Sequence, residues 1–480
     1  MKRKFITNLA LVICLNLLIK PFWIFGIDRT VQNVVGAEQY GFYFALFNFS
    51  LILNIFLDLG ITNFNNRNIA QNSHLLNKHF SNIIMVRILL GLFYFIISIG
   101  VAVIWKYEWD QIKLLTLLVF NQFLSSFILY LRSNLAGLHL FKTDSIISVL
   151  DRGLMILICG ILLWGNVTET PFKIKWFVFA QTGAYTITAF IAFGLVLFRS
   201  GKIKIRFDRR FILAILKKSY PFALLTLLMA SYNRFDAILL ERMLEDGSRQ
   251  AGIYAQAFRI LDASSMFALL FAGLLLPMFA KMLKNKEPIG QLTQLSFLFI
   301  FIPAYILAIS CAFYQHEIMD LLYHEHVESS ASIFAILMFG FISISTTYIF
   351  GTLLTANGSL KQLNIMAVFG VIINIVLNII LIPKLQAKGS AIASLITQTF
   401  TALVQVIIAY KVFKLRINYK LLILLLIFAI GVALLGIVSR DLPYNWVISM
   451  SLMILLSVIL AFSIGLINIK SIYQIIKYDK

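Results

Sequence analysis

Two apolar runs near the middle of the chain carry charge that hydrocarbon should exclude. SYPFALLTLLMASYNRFDAILL holds Arg234 and Asp236, and AGIYAQAFRILDASSMFALL holds Arg259 and Asp262. A charge at the centre of a bilayer costs about 2.5–3.5 kcal/mol on insertion scales, so such residues face a polar cavity and mark a transport path. Arg234 and Asp236 are two apart on a helix and do not face each other, whereas Arg259 and Asp262 are three apart and can pair locally. Lys20, Arg87 and Asp58 stand inside other apolar runs, as do Asp151 and Arg152. Five cations and four acids leave the intramembrane interior with a net charge of 5 − 4 = +1. Arg234, Arg259, Lys20 and Arg87 are therefore candidates for substrate contact, and Asp236 and Asp58 for ion coupling. Asp151 and Arg152 read as a structural pair.

The elements that must hold these residues follow from composition. The chain has 480 residues, 60% hydrophobic and 13% charged, against about 25% charged in a soluble domain. Apolar runs of about 20 residues, each enough for a helix across a ~30 Å core, recur throughout. The expected fold is an all-α integral membrane protein of about fourteen spans: 6–26, 40–61, 80–104, 113–131, 145–164, 176–198, 214–240, 251–280, 291–314, 330–355, 362–382, 389–410, 420–438 and 446–468. The N-terminus, MKRKFITNLALVICLNLLIKPFW, has a basic start and an apolar run but no small-residue cleavage site, and reads as the first span, uncleaved. Cys14, Cys159 and Cys311 all fall in apolar segments, without metal or redox spacing.

The net charge of +20 lies mostly in the short loops between spans. That pattern argues for the positive-inside rule and against nucleic acid as a partner. Of 41 basic residues, 26 fall in alternate loops and the two ends and ten in the other loops. Both termini are thus expected in the cytoplasm, and all six tryptophans lie at or just beyond outer span ends. The longest inner loop, basic residues 199–218, follows six spans. It divides the chain into an N-terminal six-helix lobe (1–198), a linker (199–218), a second six-helix lobe (214–415) and an extra helix pair with a tail (416–480). An even repeat keeps its orientation, so the lobes are expected to be related by a pseudo-two-fold axis along the membrane normal. YGFYFALF (40–47) and AGIYAQAF (251–258) open spans 2 and 8, and Lys20 and Arg234 each sit in the outer third of spans 1 and 7. The cavity is expected between spans 1, 2, 7 and 8.

Walker A, dinucleotide-binding, HExxH and nucleophile-elbow motifs are absent from the sequence. The spacing of His316, His324 and His326 matches no zinc motif. Several segments resemble the polysaccharide flippase branch of the superfamily that also holds MATE-type multidrug exporters. They are GAEQYGFYFAL (36–46), DLGITNFNNRNIA (58–70) with Asp58, Gly60 and Arg67, NRFDAILL (233–240), AGIYAQAFRI (251–260), and NIVLNIILIPKLQAKGSAIASLITQ (374–398). The resemblance covers residues 1–415 in order, with Gln386 where the family tends to have glycine. It implies two six-helix lobes that open alternately to either side of the bacterial cytoplasmic membrane. It also implies a substrate of undecaprenyl-diphosphate-linked oligosaccharide, with no cofactor, with H⁺ or Na⁺ as candidate coupling ions, and with other polysaccharide assembly proteins as partners. A bare pyrophosphate cannot cross hydrocarbon, and arginine forks are suited to replace its water shell. The alternatives are a cation-coupled drug exporter, which calls for a more acidic interior, and a membrane polymerase or ligase, for which the loops are short.

Overall fold

In the computed structural model, residues 18–62, 65, 69, 76–138, 140–165, 167, 170–200, 209–415 and 418–466 are described. Among them every regular element is helical. A π-helical stretch, Phe22–Asp28, runs into α1 (Arg29–Leu53), followed by α2 (Ile55–Asp58), α3 (Leu76–Ile104), α4 (Trp109–Gly137), α5 (Phe141–Trp164), α6 (Ile174–Ser200), α7 (Arg209–Met243) and α8 (Gly247–Lys284). Then come α9 (Gly290–Phe313), α10 (Gln315–Leu322), α11 (Val327–Ala356), α12 (Leu360–Phe413), α13 (Tyr419–Arg440) and α14 (Trp446–Ser463).

Twelve helical stretches among the described residues are long and apolar enough to cross a membrane. Two of them, Leu18–Asp58 and Leu360–Phe413, are long because one non-helical residue joins two helices, at Gly36 (φ 77°, ψ 167°) and Gln386 (φ 50°, ψ −135°). Both breaks reverse the chain, as hydrogen bonds across them prove. Residues twelve apart on a straight helix are roughly 18 Å apart along its axis. Yet the Tyr40 hydroxyl donates to the Asp28 carboxylate at 2.9 Å, and the Ser390 hydroxyl to Asn378 Oδ1 at 2.7 Å. Separating the two arms of each turn gives 12 + 2 = 14 segments, the expected number.

The first turn corrects two details of the sequence reading. The first span does not end at residue 26: Pro21 within it is helical (φ −61°, ψ −41°), and the helix continues past Asp28 and through Arg29 to the turn at Gly36. Lys20 then stands sixteen residues before the turn, roughly 24 Å along the axis, and so is not in the outer third of its span. Residues 6–17 of that span lie outside the described residues.

The chain divides into two compact units, 1–252 and 253–480. In the first, α4 and α6 pack together, α7 lies against α1, and Ile83, Leu124, Leu131, Ala192 and Val196 belong to one buried cluster. In the second, α11 packs on both α12 and α9. The C-terminal pair α13–α14 docks there through Phe428, Val432 and Met453, with Tyr314 donating to Ser439 Oγ at 2.9 Å and Arg440 paired with Glu317. Side-chain caps define where these helices start: Asn418 accepts from the Leu421 amide at 3.1 Å, and Asn445 from the Val447 amide at 3.0 Å.

Candidate functional site

In the first unit, α7 is positioned by two glycines. A Cβ on Gly41 would lie 1.8 Å from the Ser248 carbonyl oxygen, and one on Gly252 1.9 Å from that of Ala37. Only hydrogen fits at either place, so the second arm of α1 and the start of α8 meet backbone to backbone. This close approach lays α7 beside α1. Near the end of α7, Gln111 donates to Glu241 at 2.6 Å, and Arg242 donates to the Trp105 carbonyl while stacking 4.6 Å from the Tyr107 ring. Burial raises the Tyr107 phenol well above its ordinary range; the Glu241 carboxylate adds to this and Arg242 opposes it.

Two turns back along α7, Arg234 is half-buried and donates to Asn48 Oδ1 at 3.0 Å. Asn48, 1% exposed, spends its amide hydrogen on the Phe44 carbonyl at 2.8 Å, which turns its oxygen to the guanidinium. A neutral amide thus orients the Arg234 guanidinium. Asp236 is 1% exposed and, two residues on, projects from a different side of α7. Sequence reasoning missed Asn48, an uncharged residue in the run FALFNFS.

It also missed Asp28. This carboxylate is 2% exposed and accepts from Tyr40 at 2.9 and 3.0 Å and from Gln32 at 3.3 Å. The available signal was the i,i+4 pair Asp28/Gln32 just past an apolar run, hidden because span 1 was ended at residue 26. Lys20 is half-buried in the same unit, close enough to Arg152, Arg132 and Asp151 to feel their charges. Arg152 lies between the rings of Trp23 and Tyr185, at 5.4 and 5.8 Å, with Asp151 at 3.9 Å.

The structure brings Arg87 and Asp58 together. Arg87 is 2% exposed, ion-paired with Asp58, and donates to the Leu57 carbonyl at 2.9 Å, Ser126 at 2.8 Å and Thr62 at 2.5 Å, with Tyr130 beneath it at 5.3 Å. Asp58 in turn accepts from the Gly60 and Thr62 amides, both at 3.1 Å, closing the end of α2. The guanidinium and carboxylate are thus both committed to holding α2, α3 and α4 together. Arg67 lies outside the described residues. Arg259 and Asp262, half-buried on α8, belong to the second unit. Among the described residues no group of three or more His, Cys, Asp or Glu side chains could hold a metal ion; His316 instead lies 3.2 Å from Glu328.

Residues 24–283, more than half of the chain, match the family model described as polysaccharide biosynthesis protein. The chain belongs to this family. No curated protein matches it. Among solved structures it is similar to the lipid II flippase MurJ in an inward closed conformation (TM-score 0.69, 15% identity, 94% of this chain and 98% of that one). It is also similar to an inward-facing multidrug resistance MATE family transporter of the MOP superfamily (0.65, 14%, 85% and 98%). A third similar structure is a MOP superfamily transporter from Pyrococcus furiosus (0.59, 14%, 85% and 94%). The fold is that of MOP-superfamily transporters. This member of a polysaccharide biosynthesis family is an all-helical, multi-pass membrane protein.

Proposed function

We propose that the protein carries undecaprenyl-diphosphate-linked oligosaccharide units from the inner to the outer leaflet of a bacterial cytoplasmic membrane, with both termini in the cytoplasm. The observation that carries this reading is Arg234: a membrane-embedded cation held by the neutral Asn48 amide, inside the region matched by a polysaccharide biosynthesis family. A guanidinium fork matches a diphosphate bidentately. Lys20, in the same unit, joins it as a substrate contact in this reading, and Arg259 is the corresponding candidate in the second unit. The Arg87–Asp58 pair is instead a brace, because each consumes the other's charge. Asp236, buried on the same helix as Arg234, is the candidate for coupling to H⁺ or Na⁺.

The test is export in a deletion strain. Arg234→Ala should abolish surface glycan while protein in the membrane stays near the normal amount. Arg234→Lys should restore only part, because a point charge does not reproduce the bidentate fork. Undiminished glycan with Arg234→Ala would sink the assignment.

A further inference from the structure

The second unit contains a cavity of about 400 Å3 that none of the transport chemistry uses. It lies where the end of α8, the start of α9 and the end of α12 meet, and its walls include Leu283, Lys286, Glu287, Ile289, Phe413 and Lys414. The packing that makes it is local: a Cβ on Gly290 would lie 3.8 Å from the Leu415 side chain, so the residues just past α12 sit against the start of α9.

Two features of this cavity call for an anion. Lys286 and Lys414 both line it, and both hold a left-handed backbone (φ 57° and 50°) as they terminate α8 and α12. Each is fixed there by the helix it ends: the Lys286 amide donates to the Leu283 carbonyl at 3.2 Å, and the Lys414 amide donates to that of Tyr410. Glycine is the unstrained choice at such positions. A lysine at both roots two cationic side chains at the rim of the cavity. Its one acid, Glu287, accepts from Asn285 at 2.8 Å, and the lining charge is 2 − 1 = +1.

The other walls are apolar, and the cavity opens where the spans end. Met278 and Val412, on the same two helices as the lysines, are 43% and 38% exposed. Apolar side chains left exposed on a membrane-capable helix are suited to contact acyl chains. A free phosphate would gain nothing from Leu283, Ile289 and Phe413, whereas a lipid fills both parts of the site: its phosphate meets the lysines and its glycerol and upper acyl carbons meet the apolar wall. Basic pockets between helix ends on the cytoplasmic side bind anionic headgroups in this way.

We propose that this cavity, between the ends of α8 and α12 and the start of α9, is a binding site for an anionic phospholipid of the cytoplasmic leaflet, with Lys286 and Lys414 holding the phosphate. The choice of leaflet rests on the orientation proposed above, which has its own test.

The experiment titrates the full-length purified protein in detergent with dioleoyl-phosphatidylglycerol, dioleoyl-phosphatidylcholine or inorganic phosphate, counting bound lipid by native mass spectrometry. Lys286→Gln/Lys414→Gln is compared with Lys142→Gln/Lys361→Gln, which removes the same charge from exposed lysines elsewhere. The expected result is retention of phosphatidylglycerol over phosphatidylcholine and an affinity roughly 30-fold weaker in the first variant only, since each lysine near a surface is worth about 1 kcal/mol. A photoactivatable phosphatidylglycerol should cross-link to peptides containing residues 283–290 or 413–415. Equal retention by both variants, indifference to headgroup charge, or cross-links confined to other peptides would overturn the site. Displacement of the lipid by millimolar inorganic phosphate would overturn the lipid in favour of a soluble anion.

Discussion

Replacing Arg87 separates a brace from a substrate ligand. In Arg87→Met the methionine fills much of the space but leaves Asp58 without its cation and strips donors from Leu57, Ser126 and Thr62. Breaking a buried pair by removing one partner costs about 3–5 kcal/mol. For a unit of about 250 residues, roughly 2–4 °C of melting temperature per kcal/mol converts this to a fall of roughly 6–20 °C. Asp58→Asn removes the charge and keeps one of the two oxygens that accept from the Gly60 and Thr62 amides. The double variant should therefore be more stable than the sum of the single losses implies, with a coupling of about 1–3 kcal/mol. The assay is a melting curve of each purified protein, with surface glycan measured per molecule of membrane-inserted protein. Glycan per surviving Arg87→Met molecule should stay near that of the parent. An Arg87→Met protein that melts like the parent yet exports no glycan would refute the brace and return Arg87 to the list of substrate contacts.

Other perturbations reach different parts of the fold. Gly41→Ala puts a methyl group 1.8 Å from the Ser248 carbonyl, where backbone must move; it should destabilise by at least about 1–3 kcal/mol and weaken export by drawing Asn48 from Arg234, and an unchanged melting temperature would contradict the close packing. Gln386→Gly should stabilise by about 1 kcal/mol, because φ 50° with ψ −135° suits glycine and strains other residues; a lower melting temperature would show that the glutamine side chain outweighs the strain. Cysteines introduced at Arg206 and Glu325 should differ toward an impermeant thiol reagent in intact cells, with only the Glu325 position labelled; the reverse pattern would invert the orientation.

The bilayer made much of this protein legible in its sequence. A helix must stay apolar for about 20 residues to cross hydrocarbon, so the spans, their number and the cost of burying Arg234 and Asp236 follow from residue type alone. The glycine missing at Gln386 was also visible, since a residue type can be compared without coordinates. The partners of the charges were not. Arg87 and Asp58 are 29 residues apart, and nothing local says that α3 brings them together. Asp28 and Tyr40 meet only because Gly36 reverses the chain, and a periodic apolar pattern does not reveal a reversal made by one residue. Asn48 became the ligand of Arg234 through two glycines that let α1 and α8 touch. Hydrophobicity is a sum over neighbours in the chain and can be read from it; pairing a buried charge depends on which helices meet, and tertiary packing decides that.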